Sequence, residues 1–303
     1  MEKIPGWVDL QVNGHGGVDF SSPTLTEEAF VRAADAVISS GTAVFLPTVI
    51  TSPAAVYRRN LPLLHRAVEK RGWQRHIPGV HLEGPFLSGA PGAIGCHNPD
   101  WIQTPSPEAL AQLLEAAGGW VKMLTVAAGL PGIGVLIRLA VARGIAVSLG
   151  HHLADGAAIT AAADAGATAL THLGNGLPNM LDRHHNPIWA GLAEDRLSAM
   201  IITDGHHLPP EVIKCIRRIK GAANTMVVSD ASPATGMSPG PYRVLGNDAV
   251  LEPDGRLHNP RKGCLVGSAA TMSDWMRYLA SLELFTADEL RRGGSDNPLH
   301  LVG

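Results

Sequence analysis

The sequence predicts an α/β chain folded as a (β/α)8 barrel, with residues 1–303 forming one domain. Three observations carry that prediction. Eight short apolar runs rich in β-branched residues recur along the chain, and helix-start and helix-stop signals lie between most of them. Nearly all of these runs are apolar throughout instead of alternating, as expected of parallel strands covered on both faces. The length of 303 residues suits one such barrel, which typically takes roughly 250 residues and more with insertions.

The elements follow in order. Residues 7–14 alternate apolar and polar side chains and end in glycine, giving a first strand with Gln11 and Asn13 on one face. Thr26 followed by Glu27 and Glu28 starts a helix that Gly41 ends. Residues 42–50 form the second strand. Ser52 and Pro53 read as a cap and first helical residue of a helix reaching Gly72, which Pro62 should kink or split. Strand three is residues 80–83, stopped at once by Gly84 and Pro85, and a loop rich in Gly and Pro runs from Ser88 to Pro99. Ser106-Pro107-Glu108 opens a helix, residues 121–126 are strand four, and residues 133–142 are a helix closed by Gly144. Residues 145–152 and 167–172 are strands five and six, both ending in histidine, with a helix over 155–165 between them. Residues 197–207 give strand seven, Pro209-Pro210-Glu211 opens a helix ending at Gly221, and residues 225–230 give strand eight. A Pro- and Gly-rich excursion over 232–263 should hold a small hairpin around Pro253-Asp254-Gly255. An amphipathic helix over 271–284 and a shorter one before Asn297-Pro298 finish the chain.

Composition narrows the function. A hydrophobic fraction of 45% supports a sizeable core, and a formal net charge of -3 gives no electrostatic case for nucleic acid. A small-molecule partner is expected. Cys96, Cys215 and Cys264 are odd in number and scattered, so neither a disulfide framework nor a structural zinc cluster is indicated, and a reducing cytoplasm fits. No uninterrupted apolar run approaches the roughly 20 residues of a membrane span, and the first residues lack a signal-peptide core.

Chemistry concentrates where strands end. Glu83 ends strand three, His151 strand five, His172 strand six and Asp230 strand eight. In a barrel these ends meet on one face, so residues far apart in sequence surround one point. A single histidine is more often a hydrogen-bonded core or surface residue, but two imidazoles and a carboxylate together make a catalytic zinc ligand set that leaves a position for water. Asp230 has two readings: a turn or capping carboxylate, or the group that moves a proton between water and a leaving amine. Its place at the end of strand eight completes the ring and favours the second.

The ordered motifs His81-Leu82-Glu83-Gly84-Pro85-Phe86, Gly95-Cys96-His97-Asn98-Pro99, Gly150-His151, Thr171-His172-Leu173-Gly174-Asn175, Asp204-Gly205-His206-His207 and Ser229-Asp230-Ala231 resemble those of the N-acetylglucosamine-6-phosphate deacetylase family, in the amidohydrolase superfamily. The resemblance also takes in residues 9–19 and Val266-Gly267-Ser268 through Thr271-Met272. It implies hydrolysis of an N-acetyl amino sugar phosphate to acetate and the free amine. It implies Glu83, His151 and His172 as metal ligands, Asp230 as catalytic acid-base and His97 as the group polarising the acetyl carbonyl. Asn175 and Gly176 would contact the sugar phosphate, and Arg183 and His207 its charge. In that family the arginine can come from a neighbouring subunit, implying a homodimer. Gln11 and Asn13 stand where many amidohydrolases carry His-x-His, and amides are poor zinc ligands, so one divalent metal is expected: zinc first, with iron, cobalt or manganese suited to the same donors. Departures lie close to substrate: Gly174 in place of an aromatic ring, Cys96, His152, and His184-His185 after Arg183. The small β-sandwich usual in the family is expected to be absent. Two other readings remain, a deacetylase of a non-phosphorylated or nucleotide-linked N-acyl amino sugar, and a barrel that binds without catalysis.

Overall fold

A computed structural model describes residues 6–303. Eight parallel strands form one sheet in chain order: β1 (Trp7–Val12), β2 (Thr42–Ile50), β3 (Val80–Glu83), β4 (Val121–Val126), β5 (Ala146–Leu149), β6 (Ala169–Leu170), β7 (Ser198–Ile201) and β8 (Thr225–Val227). Between them run α1 (Glu27–Ser39), α2 (Ala54–Arg71), α3 (Pro107–Ala116), α4 (Ile133–Val141), α5 (Gly156–Asp164), α6 (Pro187–Ala193) and α7 (Pro210–Lys220), and the arrangement is a nearly closed (β/α)8 barrel. The seam between β8 and β1 has no full ladder. A bridge pairs Val12 with Ala231, the Asn13 N–H donates to the Ala231 carbonyl at 2.7 Å, and the Ser229 N–H donates to the Asp9 carboxylate at 3.1 Å.

Helix α1 shows why these segments fold as they do. The Thr26 hydroxyl accepts the Ala29 N–H, Glu27 and Glu28 face the positive end of the dipole, and Phe30, Ala33, Ala34 and Val37 recur on one face. Phe30 of α1, Leu64 of α2, Leu110 of α3, Ile137 of α4 and Ile213 of α7 all reach the layer between helices and strands, each 1% exposed or less. Burying a side chain of that size contributes about 1.5–3 kcal/mol. A separate cluster fills the inside of the barrel, with Leu10, Leu46, Met123 and Met200 at 0% exposure. It is joined by Val302 of the last helix, α10 (Asn297–Val302), which packs against β1 and β8 and forms the floor.

Several local expectations are corrected. Helix α2 runs unbroken through Pro62, and Arg58, the residue whose carbonyl loses its helical donor, is exposed and open to water. It starts at Ala54 with Pro53 at its cap, because the Ser52 hydroxyl turns back to the Ile50 carbonyl at 2.8 Å. Helix α6 was not expected from the sequence, although Asn186 caps it by accepting the Ile188 and Trp189 N–H groups and Pro187 is its first residue. At the end of the chain, α8 (Met272–Ser281) is followed by α9 (Ala287–Arg291), a π-helical stretch (Arg292–Asp296) and α10, so helix continues past Asn297 and Pro298 instead of ending there.

The excursion after β8 is larger than a hairpin. Strands β9 (Gly240–Val244), β10 (Asn247–Leu251), β11 (Leu257–Asn259) and β12 (Cys264–Leu265) form an antiparallel meander, with the expected turn at Pro253-Asp254-Gly255 joining β10 to β11. Val244, Ala249, Leu251 and Leu257 give it a small core that rests on Ile50, the last residue of β2. The meander therefore stands over the carboxyl end of the barrel.

Candidate active site

Strand register brings Glu83 to the mouth, paired with Ile50 on β2 and Thr125 on β4. Its Oε1 lies 3.2 Å from His151 Nε2 and 3.1 Å from His172 Nε2, and the two Nε2 atoms are 3.1 Å apart. His97, from the long loop after β3, places Nε2 at 3.2 Å from His151 Nε2 and 3.9 Å from Glu83 Oε2. All four side chains are buried. Gln11 donates from Nε2 to Glu83 Oε1 at 3.1 Å, and Asn13 donates from Nδ2 to Asp230 Oδ1 at 2.6 Å, so the two amides of β1 do share the mouth-facing side.

Three of these residues depart from strand geometry. His151, His172 and Asp230 have φ of 54°, 31° and 48°, in the left-handed region that side-chain-bearing residues rarely occupy. Such a conformation costs on the order of 1–3 kcal/mol each and is held only where the surroundings over-determine it. Gly176 at φ 63° is required for another reason: a Cβ there would lie 2.8 Å from the His151 ring.

The donor set fits a divalent cation. His151 Nδ1 lies 2.8 Å from the Ala93 carbonyl, which makes that nitrogen the N–H donor and leaves Nε2, facing Glu83 and His172, to offer its lone pair to a cation. The His151 lone pair and the Glu83 carboxylate oxygen, 3.2 Å apart, repel one another unless a positive charge sits between them. Ligands about 2.0–2.2 Å from a tetrahedral zinc stand roughly 3.3–3.6 Å apart, close to these separations. Glu83, His97 and His151 also meet metal-ligand spacing, with donor atoms all within 4.8 Å of one another. His97, expected to act on the carbonyl, is thus nearly as close to the cluster as His172.

Electrostatics differ between the two carboxylates. Burial pushes Glu83 up, but the close imidazoles of His151, His172 and His97 outweigh it and hold the carboxyl well below its usual range. Asp230 is pushed up to about 7 by burial, with the Glu83 charge adding and His172 and Asn13 opposing. Burial takes His97 down to about 3, helped by His151, so its imidazole is neutral. His81, though part of the same motif as Glu83, is structural: it bridges the Leu10 carbonyl and the Thr125 hydroxyl, both at 2.8 Å.

Asn13, Glu83, His97, His151, His172 and Asp230 line one cavity of about 600 Å³, within the range of small-ligand sites. Asn175, Gly176, His206 and His207 also line it, as does Gly174. His207 Nδ1 is held by Asp204 Oδ2 at 2.6 Å. Arg183 is not brought in: its side chain is exposed and the cavity wall excludes it. His184 and His185 are exposed as well, and His152 is a buried ring whose Nδ1 accepts the Ala154 N–H. Lys262, on the turn between β11 and β12, lines the cavity without having been expected there. Only the fold of the meander brings it to the mouth, and no local pattern marks it.

No family model matches the chain. Human N-acetylglucosamine-6-phosphate deacetylase is 34% identical over 312 residues, covering 99% of this chain and 74% of the human protein. An N-acetylgalactosamine-6-phosphate deacetylase of Shewanella is 33% identical over 280 residues, covering 92% of this chain and 68% of that one. The crystal structure of N-acetyl-D-glucosamine-6-phosphate deacetylase from Mycobacterium smegmatis superposes with a TM-score of 0.89 at 30% identity, covering 99% of this chain and 78% of that one. A mutant of that enzyme has been solved in complex with N-acetyl-D-glucosamine-6-phosphate, and it superposes equally well, with a TM-score of 0.89. With such identity over nearly its whole length, and with the same barrel, this chain belongs to the N-acetylglucosamine-6-phosphate deacetylase family.

Proposed function

We propose that this protein hydrolyses the acetamido group of an N-acetyl amino sugar phosphate, N-acetylglucosamine 6-phosphate first among them, to acetate and glucosamine 6-phosphate. The observation that carries the proposal is the convergence of Glu83, His151 and His172 at 3.1–3.2 Å in the cavity that also holds Asp230. These three are the ligands of choice for one divalent ion, and zinc suits the nitrogen and oxygen donors best, ahead of iron, cobalt or manganese. When bound, the ion supplies Lewis-acid activation of the attacking water.

The remaining steps fall to the side chains. Asp230, oriented by Asn13 through Oδ1, accepts a proton from the attacking water on its carboxylate and delivers it to the departing amine nitrogen. A carboxyl near pH 7 before any cation's charge is counted is suited to both halves of that transfer. His97, neutral and buried, hydrogen-bonds the acetyl oxygen as negative charge grows on it. Asn175 and Gly176 contact the sugar, and His207, with Nδ1 committed to Asp204, offers its other ring nitrogen to the phosphate. Arg183 serves this role from the partner in a homodimer. In support, Met180 and Trp189 on the same segment are 90% and 54% exposed, a surface suited to a second copy. Among the described residues no helix is long and apolar enough to cross a membrane, and all three cysteines are free, in keeping with a cytoplasmic site of action.

A second reading, a bulkier or differently configured N-acyl amino sugar, is favoured by Gly174, which leaves open the wall where an aromatic ring was expected. Acetate release from N-acetylglucosamine 6-phosphate, N-acetylgalactosamine 6-phosphate, free N-acetylglucosamine and a nucleotide-linked form separates the two. Equal turnover of free and phosphorylated sugar removes the phosphate requirement. Turnover of none of them by metal-replete protein overturns the deacetylase reading.

A further inference from the structure

Among the described residues, Lys262 is the single lysine or arginine lining the cavity, and the acidic side chains there are Glu83 and Asp230. Both carboxylates belong to the reaction centre, so an anionic substrate entering this cavity meets negative charge at its inner end. Lys262 has no carboxylate partner among the described residues, which leaves its ammonium available to a ligand.

The turn that carries Lys262 is built in. Asn259 Oδ1 accepts the N–H groups of Arg261 at 3.0 Å and Lys262 at 3.1 Å. Asn259 Nδ2 donates to Asn247 Oδ1 at 3.2 Å, and Asn247 Nδ2 donates in turn to the Cys96 carbonyl at 2.9 Å. Both asparagines are buried, at 3% and 4% exposure. Their amides thus tie the Lys262 turn to the residue preceding His97, so the meander and the catalytic loop share one frame.

Resting on the deacetylase reading, we propose that Lys262 binds the phosphate of the substrate, with Asn247 and Asn259 as its positioning residues. A lysine suits this task because it offers a compact charge with three donors to an anion that it meets from one side. The meander is then a specificity element: it supplies the cation that the strand ends of the barrel lack.

The test compares metal-loaded wild type with Lys262→Gln and Lys262→Arg, using N-acetylglucosamine 6-phosphate and free N-acetylglucosamine as substrates. Loss of one charge-assisted contact should raise KM for the phosphorylated sugar about 10- to 100-fold, with the free sugar affected far less and Arg restoring most of the loss. Asn247→Ala should raise the same KM, yet add little when combined with Lys262→Gln. An equal fall for both sugars, or no change for either, overturns the role of Lys262, and full additivity detaches Asn247 from it. Calorimetric titration of glucosamine 6-phosphate into wild type and Lys262→Gln reads binding without turnover. If wild type hydrolyses neither sugar, the deacetylase reading falls, while unchanged titration of the variant still overturns the role of Lys262 separately.

Discussion

Inside the barrel Leu10, Leu46, Met123 and Met200 are completely buried, and at the mouth, where other strands end and the loop after β3 folds in, Glu83, His97, His151, His172 and Asp230 are buried almost as well. In the lower region burial removes apolar surface from water and stabilises the fold by about 1.5–3 kcal/mol per large side chain. At the mouth the same exclusion of water acts on charge. It raises Asp230 to about 7, lowers His97 to about 3, and is compatible with an ionised Glu83 only because two imidazoles contact it. The mouth also carries the left-handed backbone of His151, His172 and Asp230. One end of the barrel therefore supplies the stability that holds the other end in a conformation it would not adopt alone.

Substitutions sharpen this contrast, beginning where the effect is largest. Asp230→Asn should lower kcat by about 10²–10⁴-fold while metal content stays at wild-type level. Near-normal turnover, measured as acetate release, would remove Asp230 from acid-base work. His172→Ala should lose stoichiometric metal and activity together, whereas His97→Ala should retain the metal and lose activity. Metal analysis of the two variants decides between them, and equal metal loss would make His97 a ligand. Deep in the barrel, Leu10→Ala should destabilise by about 2–5 kcal/mol and leave kcat unchanged at temperatures where the variant is folded. A large fall in kcat of the folded variant would show that the two regions are not separable.

The smallest effect concerns Asp9, which burial raises from 3.8 to about 6 even though it accepts the Ser229 and Gln11 N–H groups. A carboxyl with a raised folded pKa binds its proton more tightly in the folded state. Its burden on stability is therefore absent below pH 3.8, grows through the interval up to about 6, and is complete above it. Asn at this position keeps the oxygen acceptor and carries no charge. Asp9→Asn should accordingly stabilise the protein by about 1–3 kcal/mol at pH 8 and much less at pH 4.5. The same gain in Tm at both pH values would contradict the assignment.

How much of this was legible in the sequence follows from how local each signal is. Glu83, His151, His172 and Asp230 each follow an apolar run, so the rule that barrel strands deliver their last residues to one face was sufficient to assemble them. Gln11 and Asn13 followed from a spacing of two, and their contacts with Glu83 and Asp230 agree with it. Pro62 does not split α2 because the rule against proline is local, while Leu61, Leu64 and Ala67 pack the helix on the barrel. Helix α6 did carry a signal, Asn186 followed by Pro187, but in only seven residues. Lys262 was hidden because four short strands must pair before its turn reaches the cavity. Arg183 carries the opposite lesson: its motif matched, yet the fold of one chain leaves it outside.

The seam between β8 and β1 has a consequence for motion. It is held by the Val12–Ala231 bridge, the contacts of Asp9 and Asn13 and the Ser229 hydroxyl on the Gln11 carbonyl, and Asn13 gives its backbone to the seam and its side chain to Asp230. When the barrel breathes, it should part there first, and each opening should release Asp230 from Asn13. Ligand that needs an oriented Asp230 binds the closed form alone, so saturation with glucosamine 6-phosphate should slow deuterium uptake at the Asn13 amide more than at amides along β4. Closure of the barrel and readiness for proton transfer would then be one event, reported by a single exchanging hydrogen.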